Sequence, residues 1–301
     1  MKPSLLDSAR LKTALDDLRR YDSVLWRRAI EAGVTHGPDA FVRYSPPLFG
    51  LLFWATLASK REKVRENLRR AFGPRPRLVE ERDVARTFMN FASCMTEAFI
   101  IGSDRDRLRA SSQHVERFGE ANVDGRGVIM VTAHTGGWQS AHTILRTEHN
   151  ANVIVVMGRE RDARAQALSD GIRGTPGMRI VHIGDDPLDA LVLAHHLRAG
   201  GVVTLQIDRL PRGLRGREGT FFGQPYLIPE GPFRLAALTG APIMSVLSRR
   251  VDYLTYEVLV GKPIRIPRRP SEGAIDAAVR AILGELERFV VEHPTQWFHF
   301  E

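Results

Sequence analysis

The 301-residue chain has a single cysteine, Cys94, so it cannot form an internal disulfide. This excludes a small protein held together by disulfides and fits a reducing compartment. Cys94 lies in a predicted helix beside Phe91, Ala92 and Met95. An apolar neighbourhood of this kind is typical of a small buried side chain and not of a nucleophile.

Long apolar runs are also missing. No apolar stretch follows Met1-Lys2, so we expect no secretory signal. The most apolar early segment, Leu48–Leu57, has ten residues, about half of the roughly 20 that a membrane-spanning helix needs. It precedes residues 60–77, which hold eight basic and two acidic side chains. This combination predicts a peripheral anchor on an anionic membrane; a solvated basic helix packed by its apolar side is the alternative.

Basic residues outnumber acidic ones, 43 to 35, which gives a formal net charge of +8. The hydrophobic fraction of 43% and charged fraction of 26% are those of a folded protein. The positive balance favours an acidic partner, which can be nucleic acid, an anionic membrane or a phosphate-bearing substrate. Because no nucleic-acid-binding motif accompanies the charge, we do not expect nucleic acid to be the partner.

Helical periodicity dominates the first third of the chain. The predicted helices there cover 4–32, 62–72 and 79–102. From residue 127 onward, short β-branched runs alternate with helical patterns, as in a mostly parallel α/β sheet. The predicted strands are 127–132, 153–157, 179–183, 201–207, 243–247 and 254–260, and the predicted helices are 138–149, 161–173, 187–199, 232–239 and 272–293.

These patterns predict an α/β fold with a mostly parallel, mixed central sheet flanked by helices and a helical N-terminal layer. No linker-like stretch, internal repeat or low-complexity segment divides the chain. We therefore expect residues 1–110 to pack on the core and not to fold independently, with 111–301 forming the α/β domain.

One string combines several features that a catalytic site uses. Val131–Gln139 (VTAHTGGWQ) begins where a predicted strand ends and opens a predicted helix. His134 therefore lies at the carboxyl edge of the sheet, where α/β proteins place their sites. Gly136 and Gly137 allow a substrate to approach the backbone, and the helix N-terminus offers N–H groups to a developing negative charge.

The string resembles the His-x4-Asp/Glu motif of glycerolipid-type acyltransferases. It is most similar to the His-Phe-Gly-Asn-Trp-Glu form of the bacterial lipid A biosynthesis (late) acyltransferases. Further blocks in the same order extend the resemblance over roughly residues 45–301, which makes it much more specific than the histidine motif alone. These blocks are Arg65–Phe72 (RENLRRAF), Arg86–Glu97 (RTFMNFASCMTE), Gln206–Arg209 (QIDR), Phe221–Pro225 (FFGQP), Pro229–Pro232 (PEGP), Leu235-Ala236, Thr239–Pro242 (TGAP) and Pro294–Phe298 (PTQWF).

The resemblance implies a glycerolipid acyltransferase-like fold and acyl transfer from a thioester, on acyl carrier protein or coenzyme A, to a hydroxyl or amine. His134 would be the general base that takes the proton of the acceptor. The acidic residue five positions later would orient the imidazole and stabilise its charged form. The thioester is a co-substrate, and the resemblance implies no further cofactor.

The sequence departs from the family at that acidic position, where it has Gln139. Glutamine can accept a hydrogen bond but supplies no charge, so we expect activity roughly two to four orders of magnitude below that of a glutamate version. Three explanations remain open. Another carboxylate, such as Asp208 or Asp185, replaces the missing charge; the glutamine is an introduced change that traps substrate; or the chain is a non-catalytic relative.

Other residues near predicted strand ends are candidates for binding. Asp208 follows the strand 201–207 and is a candidate for acceptor positioning or catalytic support, with a helix or turn cap as the alternative. Arg159 follows the strand 153–157, in a place similar to that of a family arginine, and is a candidate phosphate or oxyanion ligand. The remaining substrate-binding candidates are Gly136, Gly137, Trp138, Arg209, Phe221, Phe222 and Gly223.

Alternatives remain at these positions. The phenylalanines line an acyl tunnel or pack in the core. The loop with Arg209, Arg212, Arg215 and Arg217 contacts phosphate or carrier protein, or is simply solvated. The basic run of Lys262, Arg265, Arg268 and Arg269 is expected on the surface. We assign no metal, because His134 and His142 have no ligand-type partner at metal spacing.

The sequence thus predicts a cytoplasmic acyltransferase, peripheral on the inner face of the membrane. Its partners would be an acyl thioester donor on acyl carrier protein or coenzyme A, a lipid, glycolipid or amine acceptor, and an anionic membrane surface. Gln139 keeps a second hypothesis open, a non-catalytic or weakened relative that binds acyl chains or acyl carrier protein. A soluble secondary metabolite is the alternative acceptor.

Overall fold

The computed structural model describes residues 24–103, 107–137, 151–158, 166–167, 170, 178–183, 189–211 and 213–301. The predicted helix 138–149 lies outside these residues, as do most of the predicted helix 161–173 and most of the predicted helix 4–32. The site candidates Trp138, Gln139 and Arg159 lie outside them too, together with Arg212, Asp185 and His142.

The N-terminal layer is helical, as predicted. Its helices are α1 (Val24–His36), α2 (Asp39–Tyr44), α3 (Pro46–Thr56), α4 (Ala58–Phe72) and α5 (Arg77–Ser103). Helix α3 lies directly against α5, because a Cβ at Gly50 would collide with the backbone at Met89. The predicted helices 62–72 and 79–102 are confirmed, with α4 starting four residues earlier than predicted.

Nine strands follow in the described part of the chain. They are β1 (Arg109–Gln113), β2 (Val128–Thr132), β3 (Val153–Gly158), β4 (Met178–Ile183), β5 (Val202–Gln206), β6 (Gly216–Phe221), β7 (Gln224–Pro229), β8 (Ile243–Asp252) and β9 (Thr255–Val260). Seven form one sheet in the order β1-β9-β8-β2-β5-β3-β4. Neighbours are parallel except β8 and β9, and β6 with β7 forms a separate antiparallel hairpin.

Helices cover the sheet and connect its strands. They are α6 (Glu116–Ala121), α7 (Asp189–Arg198), α8 (Gly231–Thr239) and α9 (Glu272–Glu292), and α9 is followed by a 3-10 turn, Pro294–Gln296. Apolar side chains of β2 and β5 lie in one buried cluster with those of α8 and α9. The mixed, mostly parallel α/β sheet with a helical N-terminal region confirms the predicted fold class.

Strands β1 and β6 are among the elements for which the sequence made no prediction. Strand β1 (RASSQ) is polar and almost wholly exposed, so it lacks the apolar pattern of a strand. Hairpin strand β6 (GREGTF) contains two glycines and two charged residues, which are rare in strands. Both are placed by pairing with a partner strand and not by their own residue pattern.

Cys94 is buried as predicted, with 7% of its surface exposed. Burial in apolar surroundings raises the pKa of the thiol to about 12. The thiol is therefore protonated at neutral pH, which fits packing and not nucleophilic chemistry.

The sheet order determines where the site residues meet. Strands β2 and β5 are parallel neighbours, and Thr132 pairs with Gln206 at their carboxyl ends. The residues that follow these two, including His134 and Asp208, therefore leave the sheet side by side at the same edge.

Candidate active site

His134 and Asp208 are joined by two hydrogen bonds. The ring Nδ1 of His134 lies 2.8 Å from Oδ1 of Asp208. The main-chain N–H of His134 donates to Oδ2 of the same carboxylate at 3.0 Å. The carboxylate therefore holds both the ring and the backbone of His134.

Asp208 is completely buried and is surrounded by donors. The indole Nε1–H of Trp297 donates to Oδ2 at 3.0 Å. The main-chain carbonyl of Asp208 accepts from the Tyr226 hydroxyl at 2.6 Å and from Nε2 of His299 at 3.0 Å. Because hydrogen bonds satisfy its polar atoms, an ionised carboxylate is tolerated inside the protein.

The electrostatics agree with an ionised Asp208. Burial alone would raise the pKa of this carboxyl, and the charge and hydrogen bond of His134 oppose that rise. The charges of Arg209 and His299 act in the same direction. Together they hold the pKa of Asp208 well below its usual range, so the group is negative at neutral pH.

A carboxylate accepts hydrogen bonds but does not donate them, so the Nδ1 of His134 carries the proton. In the neutral form of the ring, Nε2 is then the unprotonated nitrogen, the atom that can accept a proton from a bound molecule. The His134 side chain is 28% exposed, whereas that of Asp208 is 0% exposed. A reacting group can thus reach the histidine but not the carboxylate behind it.

The turn after His134 is packed tightly by the protein itself. A Cβ at Gly136 would collide with the Gln296 side chain, and one at Gly137 would collide with the ring of Tyr256. Gly137 also has a φ of +69°, which disfavours other residues. Both glycines are substrate-approach candidates in the sequence, and the structure gives internal packing as a physical reason for each.

The ring behind Gly137 belongs to a buried polar cluster. The Tyr256 hydroxyl donates to Glu97 at 2.5 Å, and Arg250 donates to the other oxygen of Glu97 at 2.8 Å. The Leu254 main-chain N–H donates to Glu97 at 3.1 Å. Glu97 is only 2% exposed. Helix α5 thus anchors strands β8 and β9 directly behind the His134 turn.

The last residues of the chain hold the other side of the turn. The Phe298 main-chain N–H donates to the His134 carbonyl at 2.6 Å, and Thr135 forms an antiparallel bridge with Trp297. The Asn67 amide of helix α4 donates to the His299 carbonyl at 2.7 Å. The C-terminal end therefore lies between the helical layer and the His134–Asp208 pair.

The other predicted binding residues that the structure describes occupy three different environments: the C-terminal end, the core and a hairpin turn. Arg209 donates to the Phe298 carbonyl at 2.9 Å, so it holds the C-terminal end. Phe221 is fully buried against Trp297 and Tyr226, which places it in the core. Phe222 and Gly223 form the tight turn of the β6–β7 hairpin, both with positive φ.

The basic loop after Asp208 divides into paired and exposed residues. Arg217 makes ion pairs with Glu230, Glu272 and Asp276, and these raise its pKa. Arg215 pairs with Glu230 at 3.0 Å but is 83% exposed. The second basic run is exposed as predicted: Lys262, Arg265, Arg268 and Arg269.

Three neighbours of Asp208 were not predicted as site residues: Tyr226, Trp297 and His299. Trp297 lies in the PTQWF block that carries part of the family resemblance, which was the one signal for it. Tyr226 and His299 have no such signal, because their contacts join positions far apart in the chain. The described residues contain no group of three His, Cys, Asp or Glu side chains placed to hold a metal ion.

Comparison with known proteins identifies the family of the chain. The profile of the bacterial lipid A biosynthesis acyltransferase family matches residues 29–301. The chain belongs to this family. It is an acyltransferase, and the family implies an acyl donor and a lipid-type acceptor.

Curated relatives come from mycobacteria. A phosphatidylinositol mannoside acyltransferase of Mycobacterium tuberculosis strain H37Rv is 24% identical over 250 residues, which cover 78% of this chain and 74% of that protein. The protein of the same name from Mycolicibacterium smegmatis is 26% identical over 190 residues, 62% of each chain.

The helical layer of this acyltransferase exposes apolar side chains on α3, next to the charged helix α4. Helix α3 exposes Leu48 at 66%, Phe49 at 40% and Leu52 at 49%. Many charges of the neighbouring α4 are used within the protein, since Arg69 pairs with Glu80 and Arg65 with Glu81. Within the described residues, no helix is both long and apolar enough to cross a membrane.

Proposed function

We propose that this enzyme transfers a fatty acyl group from an acyl thioester to a hydroxyl or amine of a lipid or glycolipid acceptor, with His134 as general base. The observation that carries the proposal is the 2.8 Å contact between His134 Nδ1 and Asp208 Oδ1. It gives the histidine the tautomer and the charged partner that proton abstraction needs. The acyl thioester is carried on coenzyme A or on acyl carrier protein.

The proposed reaction has two proton transfers. Nε2 of His134 takes the proton of the acceptor hydroxyl while the acceptor oxygen bonds to the thioester carbonyl carbon. The carbon–sulfur bond then breaks, and the departing thiolate takes the proton from the imidazolium. The products are an acyl ester and a free thiol, and no covalent bond to the enzyme forms.

Asp208 contributes through its charge. It stays ionised and stabilises the imidazolium that forms during the reaction, as the buried aspartate of a serine-protease triad does. Its position also supports one of the three explanations for Gln139, namely that another carboxylate replaces the family's acidic residue. Nδ1 has one hydrogen, and Asp208 already accepts it.

The names of the relatives suggest the first acceptor to test. We propose a mannosylated phosphatidylinositol, because both curated relatives are named for acylating phosphatidylinositol mannoside. Such an acceptor resides in a membrane. The exposed apolar side chains of α3, Leu48, Phe49 and Leu52, fit contact with an anionic bilayer at its surface.

A thiol-release assay tests the function. Purified enzyme is mixed with palmitoyl-coenzyme A or palmitoyl-acyl carrier protein, with and without phosphatidylinositol mannoside, and free thiol is measured with a chromogenic disulfide. We expect acceptor-dependent release and an acylated lipid of the matching mass. His134→Ala is the matched negative control and should lose at least about a hundredfold in kcat.

Two results would contradict the proposal. Thioester binding without release, for both donors and for a lipid A-type disaccharide acceptor as well, would favour the non-catalytic acyl-binding protein. Release that His134→Ala leaves unchanged would show that another group is the base.

A further inference from the structure

The C-terminal segment, residues 297–301, contacts both members of the His134–Asp208 pair. Trp297 donates its indole N–H to Asp208 Oδ2 at 3.0 Å, and the main chain of Phe298 donates to the His134 carbonyl at 2.6 Å. Trp297 is 4% exposed, so water does not compete for its hydrogen bond. A single stretch of chain thus holds the proton acceptor and its partner together.

The carboxylate of Asp208 needs such support, because rotation about its last side-chain bond is broad and roughly two-fold. Its Oδ2 receives two N–H groups at 3.0 Å each, one from Trp297 and one from the His134 main chain. With Oδ2 held by both donors, Oδ1 is left facing the Nδ1 of His134 at 2.8 Å. The rotation that brings Oδ1 to the histidine is therefore set from the opposite side of the carboxylate.

Trp297 is itself fixed in position. Its backbone bridges to Thr135, next to His134, and its ring packs edge-on against Phe221 at 5.5 Å between centroids. Phe221 is fully buried. The indole N–H is thus preorganised toward Asp208 and not free to follow the carboxylate, as an effective orienting group requires.

We propose that Trp297 is a positioning residue for catalysis, which orients Asp208 through its indole N–H and so fixes the hydrogen bond between Asp208 and the ring of His134. The inference rests on the proposed function, since it assigns Trp297 a part in proton transfer by His134. It predicts that loss of this one N–H lowers kcat and leaves donor binding unchanged.

Two replacements remove the N–H. Trp297→Phe is the simple variant, and β-(3-benzothienyl)alanine at position 297 keeps the bicyclic shape while replacing N–H by sulfur. We expect either to lower kcat roughly ten- to a hundredfold, as loss of a hydrogen bond to a buried charge does. KM for the acyl thioester should stay within about twofold. Phe300→Leu is the control, because Phe300 belongs to the same segment but packs on Phe88 and Phe91.

A spectroscopic readout tests the positioning without turnover. In protein with ¹⁵N-labelled histidine, the Nδ1–H proton of His134 should resonate far downfield in the native enzyme. It should move upfield or exchange away in both Trp297 replacements, and remain in Phe300→Leu. A purely structural role for Trp297 would lower stability without this change in the His134 signal.

The outcomes separate the two hypotheses. An unchanged kcat and an unchanged His134 signal in the benzothienyl variant overturn the inference. So does an equal loss of kcat in Phe300→Leu. If the native enzyme releases no thiol with any donor, the proposed function fails, and the His134 signal alone then decides whether Trp297 orients the pair.

Discussion

Asp208 holds His134 at two points, by its ring at 2.8 Å and by its main-chain N–H at 3.0 Å. The main-chain contact ties the carboxylate to the same residue whose ring it orients, so one carboxylate fixes both the backbone and the ring of His134. Burial raises the pKa of this carboxyl, but His134, Arg209 and His299 together lower it further, so the carboxylate remains ionised. The histidine and its carboxylate thus form a preformed, hydrogen-bonded pair at the edge of the sheet, which fits the proposed base and its counter-charge.

Replacement of the carboxylate tests its charge. Asp208→Asn keeps the shape but removes the negative charge and offers an NH₂ where Nδ1–H now donates. We expect kcat to fall by roughly three to four orders of magnitude, as in triads with the same change. Asp124→Asn is the control, because Asp124 is exposed and pairs with Arg265. More than a tenth of native kcat in Asp208→Asn would rule out a catalytic role for the charge.

Gln139→Glu tests where the family's acidic residue acts. The sequence alone predicts that a glutamate raises activity by roughly two to four orders of magnitude. With Asp208 already accepting the Nδ1 proton, we now expect a change in kcat of less than about tenfold. Thiol release by the two proteins, measured side by side, decides the matter. A hundredfold gain would show that position 139 supplies a charge that Asp208 does not replace.

Gly137→Ala tests the packing behind the His134 turn. The new methyl group would collide with Tyr256, and the alanine backbone would have to keep an unfavourable φ near +69°. We therefore expect a loss of about 2–4 kcal/mol in the free energy of unfolding. Gly125→Ala, with a φ of +62° and no atom within 4 Å of its Cβ, isolates the backbone cost and should lose about 1 kcal/mol. Urea unfolding measures both. Equal losses would mean that Tyr256 moves aside.

Vesicle sedimentation tests membrane contact by α3. The double variant Leu48→Ser with Leu52→Ser should lower partitioning to phosphatidylglycerol-containing vesicles about tenfold or more, because two exposed leucines no longer enter the bilayer. Val123→Ser is the control, since Val123 is 75% exposed but lies before β2, at the sheet edge opposite His134. Equal binding by all three proteins would remove α3 from the contact surface.

The lowered pKa of His299 should make the stability of the protein depend on pH. Burial lowers its pKa below the ordinary value of 6.5, and the charges of Arg209 and His134 act in the same direction, although Asp208 opposes them. The unfolded chain then binds a proton more readily, so stability is present above pH 6.5 and declines as the pH falls below it. His299→Gln should lose less stability than the native protein between about pH 7 and pH 5 in urea titrations. A parallel decline in both proteins would assign the effect to other groups, such as His293, whose pKa burial also lowers.

Much of the fold could be predicted from local patterns in the sequence. The buried apolar run of β2 and the helical spacing of the long amphipathic helix α9 are local patterns of the chain, so both elements could be predicted from the sequence. Strand β1 could not, since its polar residues acquire strand structure only by pairing with β9. The hairpin turn at Phe222-Gly223 was noticed only through the family resemblance and was expected to contact substrate.

The sequence by itself determined the fold class and the place of His134 and Asp208, because apolar runs and helical spacing are local patterns, and strands that alternate with helices favour a parallel sheet whose carboxyl ends share one edge. Only the tertiary structure decided which group receives the Nδ1 proton, why Gly136 and Gly137 are glycines, and that Trp297 and His299 lie against Asp208. Those relationships join β2, β5 and the C-terminal end across long stretches of chain. No local pattern specifies a hydrogen bond whose partners meet only when the sheet and the helical layer close around them.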